Sequence, residues 1–195
     1  GNCLNNTPSD SNAEAFIALV REHRPDLLCL QEYHPAPHID VTDSLEMLGY
    51  KHFFGSHGDT RTPNGTVVFS RLPITFVKQV DQQKVMVELS TGDRRFRLLC
   101  VHMDSYAFGV SERADIEQMA HLKIDSSSRH TLGKAKTTVL HHEQEWNDLL
   151  RPLVTECSLP LLLAGDMNDI PSSWLYAQLS RHLRDTYRDK GSGFS

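Results

Sequence analysis

The chain has 195 residues, 39% apolar and 23% charged, enough to bury one core, which excludes disordered, fibrous and peptide-sized classes. Its 20 Lys plus Arg against 25 Asp plus Glu give a formal charge of −5 without a basic run, which argues against a general electrostatic grip on nucleic acid while leaving a local basic groove open. No apolar segment nears the roughly 20 residues that span a bilayer; the longest run, Leu159 to Ala164, is broken by Pro160, so no transmembrane segment is expected.

Phe16, Leu19, Val20 and His23 recur at helical spacing from Ser11 onward, and Pro25-Asp26 ends that helix before the buried strand Leu27-Leu28-Cys29-Leu30. A Pro- and His-rich loop over Tyr33 to His38 follows, then a short helix near Leu45 to Leu48, a strand over Lys51 to Phe54 and a polar loop from Ser56 to Gly65. Thr66 to Phe69, Ile74 to Val80, Val85 to Leu89 and Phe96 to Val101 are rich in Val, Ile and Phe and read as an antiparallel meander, with Ser90-Thr91-Gly92-Asp93 as a hairpin turn. Helices are expected over Ser111 to Lys123 and Leu132 to Cys157, the second with Val139, Trp146, Leu149, Leu150, Leu153 and Val154 on one stripe, and Ser126-Ser127-Ser128 as the break between them. Leu161 to Ala164 reads as a last buried strand, followed by a helix from Ser172 to Leu179. Long helices with strands before and after predict an α/β sandwich with a mixed sheet, one domain over 1–195. The turn-like ending Gly191-Ser192-Gly193-Phe194-Ser195 has no closing element, so the domain is expected to be incomplete at its C-terminus.

Cys3, Cys29, Cys100 and Cys157 are scattered singly and are expected as free thiols, mostly in the core. The chain begins at Gly1-Asn2 without Met and shows no secretory apolar region, which leaves a soluble protein either cytoplasmic or exported after removal of an unseen N-terminus. It is expected to be a monomer.

Three apolar runs end in chemistry-bearing residues. Leu27 to Leu30 runs into Gln31-Glu32; Leu98 to Val101 runs into His102-Met103-Asp104; Leu161 to Ala164 runs into Gly165-Asp166-Met167-Asn168-Asp169. Strand ends that emerge together are where ligands commonly sit. Each has a structural alternative: Glu32 as a solvated loop carboxylate, Asp166 and Asn168 as an Asx-turn opening the next helix, His102 as a satisfied core or rim histidine.

Leu28-Cys29-Leu30-Gln31-Glu32, Asn64-Gly65-Thr66-Val67-Val68-Phe69-Ser70-Arg71-Leu72-Pro73-Ile74, Leu99-Cys100-Val101-His102-Met103-Asp104-Ser105 and Leu163-Ala164-Gly165-Asp166-Met167-Asn168-Asp169-Ile170-Pro171 follow one another in the order seen in the endonuclease/exonuclease/phosphatase superfamily, the deoxyribonuclease-like metal-dependent phosphoesterases. The chain resembles that family over nearly its whole length, with Asn2 matching the first-strand Asn. The resemblance implies a four-layered α/β sandwich, two packed mixed or antiparallel sheets flanked by helices. It implies Mg2+ or Mn2+ held by Glu32 with Asn2, an Asp166 that orients and deprotonates the attacking water, and His102 and Asn168 as hydrogen-bond donors to the phosphate. Hydrolysis of a phosphate mono- or diester is the expected reaction. A small or lipid-derived phosphate ester is favoured over duplex DNA on charge, with an endo- or exonuclease on DNA or RNA and a non-catalytic binding module as alternatives.

The family's late Asp and its Ser-Asp-His segment have no counterpart here, so this chain alone is expected to be weakly active or inactive. Many members carry a carboxylate where this sequence has Asn64, so His102 is expected to be oriented through Asp104, with Asn64 left for substrate. Tyr106 could stack on a base or sugar, although loop aromatics more often cover the core. Ser56-His57-Gly58-Asp59 is a weak substitute for the absent His. His34 and His38 read as rim loop residues because Pro35 and Pro37 forbid a regular helix. His141 and His142 read as surface residues, Arg95 and Arg97 as one hydrated sheet face, and Trp146 and Trp174 as core or rim packing.

Overall fold

Ser9 accepts the Asn12 N–H at 3.3 Å and opens helix α1 (Asp10–His23), which carries Asp10 in its first turn and Arg21 and His23 in its last, the polarity the helix dipole favours. Arg24 turns left-handed at φ +45° and gives its N–H to Val20 O, so the chain leaves the helix just before Pro25. The structure, a computed structural model, describes residues 9–56, 65–105 and 126–190, the side chains of 126–135 excepted. The readings placed on Asn2, Cys3, residues 57–64 with Asn64, Tyr106 and the helix over 111–123 lie outside the described residues.

Contacts divide the chain into two compact units, residues 1–102 with 157–167 and residues 103–156 with 168–195. The first holds α1, β1 (Leu27–Tyr33), α2 (Val41–Met47), β2 (His52–Gly55), β3 (Gly65–Ser70), β4 (Ile74–Gln79), β5 (Lys84–Thr91), β6 (Arg94–His102) and β7 (Leu161–Asp166). β1-β3-β2 form one antiparallel sheet, and β4-β5-β6-β7 a second in which only the β6-β7 pair is parallel. The meander expected over residues 66–101 is therefore split. β4 to β6 follow one another in the second sheet, whereas β3 pairs with β1 and β2, a choice set by non-local register that local composition does not record.

The alternation along β3 explains its burial on both faces. Val67 and Phe69 pack with Ala13, Phe16 and Val20 of α1 and with Val41 and Leu45 of α2, while Val68 points the other way into Val85, Val87, Leu89, Leu98 and Cys100 of the second sheet. β1 runs on past Leu30, where the sequence pattern ended it, because a register shift between Leu30 and Tyr33 lets Tyr33 return to the core, edge-on to Phe69 at 5.9 Å. Ser70 Oγ donates to Leu72 O at 2.7 Å and accepts the Leu72 N–H at 2.9 Å, fixing the turn into Pro73.

Tyr33 is 1% exposed, and burial pushes its hydroxyl up to about 12. The raised value means the folded state resists ionisation, so stability is full below pH 10 and falls between pH 10 and 12, by about 3 kcal/mol for a two-unit difference. Thermal melts from pH 8 to 12 are expected to show this loss, and Tyr33→Phe to flatten it; an unchanged alkaline slope in the variant refutes the assignment.

The second unit holds α3 (Ser126–Glu145), a π-helical turn at Trp146–Leu150, α4 (Arg151–Thr155), α5 (Trp174–Leu179) and α6 (Thr186–Lys190). Ser126-Ser127-Ser128, expected as the break before a helix starting at Leu132, lie within the described helix α3; the helix expected before them falls outside the described residues. Pro152 removes an N–H from the helix, and the adjoining turn widens so that the Arg151 N–H reaches Trp146 O. The buried stripe is His142, Trp146 and Leu150 at four-residue spacing; Val139 is exposed. Ser173 caps α5 by accepting the Tyr176 N–H at 3.1 Å, and Leu175 and Leu179 are its buried face. Among the described residues no helix is long and apolar enough to cross a membrane.

Candidate functional site

In the first unit the bulge of β1 aims Glu32 out of the sheet. Glu32 has φ +51°, one of three non-glycine residues in the left-handed region among the described residues; another is Asn168 at +46°, and the third is the α1 cap. Strain of this kind persists where the surroundings fix it and clusters at functional sites. Glu32 Oε1 lies 3.8 Å from His102 Nε2 at the end of β6, with Glu32 40% and His102 17% exposed. Glu32, His34, Gly65, Thr66, Gln82, Gln83 and His102 line a cleft of about 260 Å³. Its floor is braced by Gln83 O, which accepts both the His102 N–H at 3.0 Å and the Thr66 hydroxyl at 2.8 Å.

Asp166 ends β7 in parallel register with His102, one pair beyond Val101 and Gly165. Gly165 has φ +148°, and a Cβ placed on it would lie 1.9 Å from Val101 O, so only glycine lets the two strands close there. The first unit thus sets Glu32 beside His102 and Asp166 in register with His102, from three strand ends far apart in sequence. Behind them Gln31 Nε2 donates to Cys100 Sγ at 3.3 Å, and the buried Cys100 thiol, hydrogen-bonded to Cys29, is held well above the ordinary cysteine range while Cys29 is lowered. Cys29, Cys100 and Cys157 are free thiols, as expected.

Asn168 lies in the second unit, where its Nδ2 donates to Met103 O at 2.7 Å. Asp104 does not orient His102 as the sequence suggested: its carboxylate lies 2.8 Å from His141 Nδ1, a partner on the helix that the sequence did not place nearby. His142 overturns its surface reading. It is 1% exposed, with Nε2 2.8 Å from Asp104 O and Nδ1 3.2 Å from Asp169 Oδ2. Its signal was its place four and eight residues before Trp146 and Leu150, hidden by a histidine's polarity.

The remaining candidates resolve as structure. His38 binds Asp10 at 2.9 Å on the surface. Arg95 and Arg97 share one face, as expected, and both reach the nearly buried Glu88, at 2.9 and 3.5 Å, so one carboxylate ties the two guanidiniums and leaves the group with a net positive charge. Trp146 is core and Trp174 rim.

Among the described residues no three His, Cys, Asp or Glu side chains stand close enough to enclose a metal. A closed zinc-type cage is therefore not what these residues build. One half-exposed carboxylate at the mouth of an oxygen- and nitrogen-lined cleft fits a hard divalent cation that keeps most of its water. Gln83, which also lines the cleft, has a buried Oε1 without a hydrogen-bond partner among the described residues.

The fold has solved counterparts. Sphingomyelinase C from Streptomyces griseocarneus is 17% identical with a TM-score of 0.54, over 86% of this chain and 60% of that one. An endonuclease/exonuclease/phosphatase family protein from Leptotrichia buccalis C-1013-b is 16% identical with a TM-score of 0.51, over 94% of this chain and 71% of that one. The chain thus spans less than two thirds of the sphingomyelinase. At these identities the likeness establishes the deoxyribonuclease-like α/β fold. No curated protein matches the sequence significantly. The model of the Endonuclease/Exonuclease/phosphatase family matches residues 2–194, and the chain, with its two sheets and strand-end Glu32, His102 and Asp166, belongs to that family.

Proposed function

We propose that the protein is a divalent-metal-dependent hydrolase of phosphate mono- or diesters, and that one family domain runs through both units. The observation that carries this reading is the Glu32–His102 approach of 3.8 Å on an open cleft, with Asp166 registered beside His102. When bound, Mg2+ or Mn2+ supplies Lewis-acid stabilisation of charge on the phosphoryl oxygens. Glu32 is the carboxylate that holds it, with Asn2 as a second oxygen ligand. His102 donates a hydrogen bond to a phosphoryl oxygen, and Asp166 orients the attacking water and takes its proton. Asn168, on the turn that continues from Asp166, donates a further hydrogen bond; Asn64 and Tyr106 are substrate contacts.

A cleft of about 260 Å³ and a net charge of −5 support a small or lipid-derived phosphate ester over duplex DNA. The protein at its full natural length is expected to hydrolyse an aryl phosphodiester only with added Mg2+ or Mn2+, and to stop on chelation. Glu32→Gln is expected to raise the metal concentration for half-maximal rate at least about tenfold with an unchanged melting temperature, one charge-assisted ligand being removed. Chelator-insensitive turnover, or an unshifted metal dependence in the variant, contradicts the reading. A nuclease would instead lose affinity steeply between about 50 and 200 mM salt.

A further inference from the structure

We propose that Asp81 is a positioning residue: its carboxylate closes the turn between β4 and β5 that ties the two sheets together at the cleft, and it acts on turnover through His102. The role rests on the phosphoester reading in one respect, that His102 is the donor to phosphate. Every group involved belongs to the first unit.

Asp81 Oδ1 accepts the Gln83 N–H at 2.7 Å, the local closure that an Asp makes with the backbone two residues on. Its Oδ2 lies 3.0 Å from Lys84 Nζ, and Lys84 O accepts the N–H groups of Val80 at 2.9 Å and of Asp81 at 3.3 Å. The peptide between Gln83 and Lys84 is therefore held from both sides. Its carbonyl, Gln83 O, accepts the His102 N–H at 3.0 Å and the Thr66 hydroxyl at 2.8 Å, which uses both of its lone pairs.

Thr66 belongs to β3 and His102 to β6, strands of different sheets, so one carbonyl links the sheets where the cleft opens. Glu32 and His102 come from the same two sheets and stand 3.8 Å apart. A tie between the sheets at that end sets their spacing, and misplacement of a positioned group by about 1 Å costs on the order of 10²-fold in rate.

Lys84 is 1% exposed and Asp81 35%. A buried ammonium costs free energy that a partner only offsets, and an apolar side chain of similar volume often serves stability as well. A methionine would fill the same space beside Val101, the residue before His102. What it would not do is fix the second oxygen of Asp81.

Kinetics of the protein at its full natural length on the aryl phosphodiester, with amide hydrogen exchange, tests this. The comparison is made in Lys84→Met, which leaves no buried ammonium to be stranded when Asp81 is changed. Adding Asp81→Asn, whose side-chain oxygen still accepts the Gln83 N–H, is expected to keep kcat within about threefold of Lys84→Met. Adding Asp81→Ala is expected to lower kcat about 10- to 100-fold, with the metal concentration for half-maximal rate changed less than about threefold. With His102→Ala also present, the same Asp81→Ala step is expected to cost less than about threefold, because its effect passes through His102. Asp81→Ala is also expected to speed exchange of the Gln83 and His102 amides at least about tenfold and to leave the Leu99 amide unchanged.

Unchanged kcat in a folded Asp81→Ala protein, equal losses in Asp81→Asn and Asp81→Ala, or the full loss repeated beside His102→Ala overturns the proposal. Should Asp81→Ala fail to fold, Asp81→Glu decides: it keeps the charge but places the acceptor one methylene too far for the two-residue closure, and is expected to lower kcat at least about tenfold. A wild-type rate in that variant overturns the proposal. Faster exchange of both amides on Asp81→Ala, in a protein whose wild type hydrolyses nothing, overturns the phosphoester reading and leaves the tie between the sheets standing.

Discussion

Asp166→Ala is expected to lower kcat for the aryl phosphodiester by about 10²- to 10⁴-fold while leaving the melting temperature close to wild type, the range typical for removal of a positioned general base. The fold gives reasons for both halves. Asp166 is the last residue of β7, in register with His102, so truncation takes away the group proposed to hold the attacking water without disturbing the buried strand behind it. Asp166→Asn separates charge from shape: it keeps the hydrogen-bonding outline and is expected to lose nearly as much rate, since an amide takes no proton. A fall of less than tenfold in either variant contradicts the role given to this carboxylate. His102→Ala, which removes a donor and not a base, is expected to cost less than Asp166→Ala.

The largest effect on stability is expected one residue earlier. Gly165→Ala puts a methyl 1.9 Å from Val101 O and within 3 Å of Val101 C and N, all backbone atoms of the paired strand, so no side-chain rotation relieves the clash. A φ of +148° is also strained for any residue with a Cβ. Destabilisation of at least about 3 kcal/mol is expected, because either β6 and β7 separate at their closest pair or the backbone leaves its conformation. Denaturant titration measures it. Protein that still folds is expected to lose turnover as well, since the displaced pair adjoins His102 and Asp166. A variant as stable as wild type would mean that β7 does not approach β6 as closely as described. Gly92→Ala is the contrast: no atom lies within 4 Å of the added methyl, leaving only the cost of φ +59°.

Much of this was legible in the sequence because strands and their polar ends are local patterns. The apolar runs before Glu32, His102 and Asp166 became β1, β6 and β7, and the glycine between Ala164 and Asp166 marks a close backbone approach, a usual meaning of glycine inside a strand. What could not be read was non-local. β3 looks like the next strand of a meander, yet its partners are β1 and β2, and only three-dimensional register shows it. Glu32 looked like a loop residue after a strand, whereas a bulge keeps it within β1, and the bulge is what turns it outward. His142 was misread because two adjacent polar residues on a helix suggest solvent; its burial depends on acceptors supplied by Asp104 and Asp169, 38 and 27 positions away. The Arg95–Arg97 cluster likewise gains its meaning from Glu88 on the neighbouring strand.

The account turns on a cation at the Glu32 carboxylate beside His102. Anomalous diffraction from Mn2+-soaked crystals of the full-length protein locates such an ion directly. The expected map has a manganese peak bonded to a Glu32 carboxylate oxygen at about 2.2 Å, within the cleft that His102 lines, and no such peak in Glu32→Gln crystals. Manganese bound elsewhere, or retained at the cleft when Glu32 is replaced, would contradict the central claim.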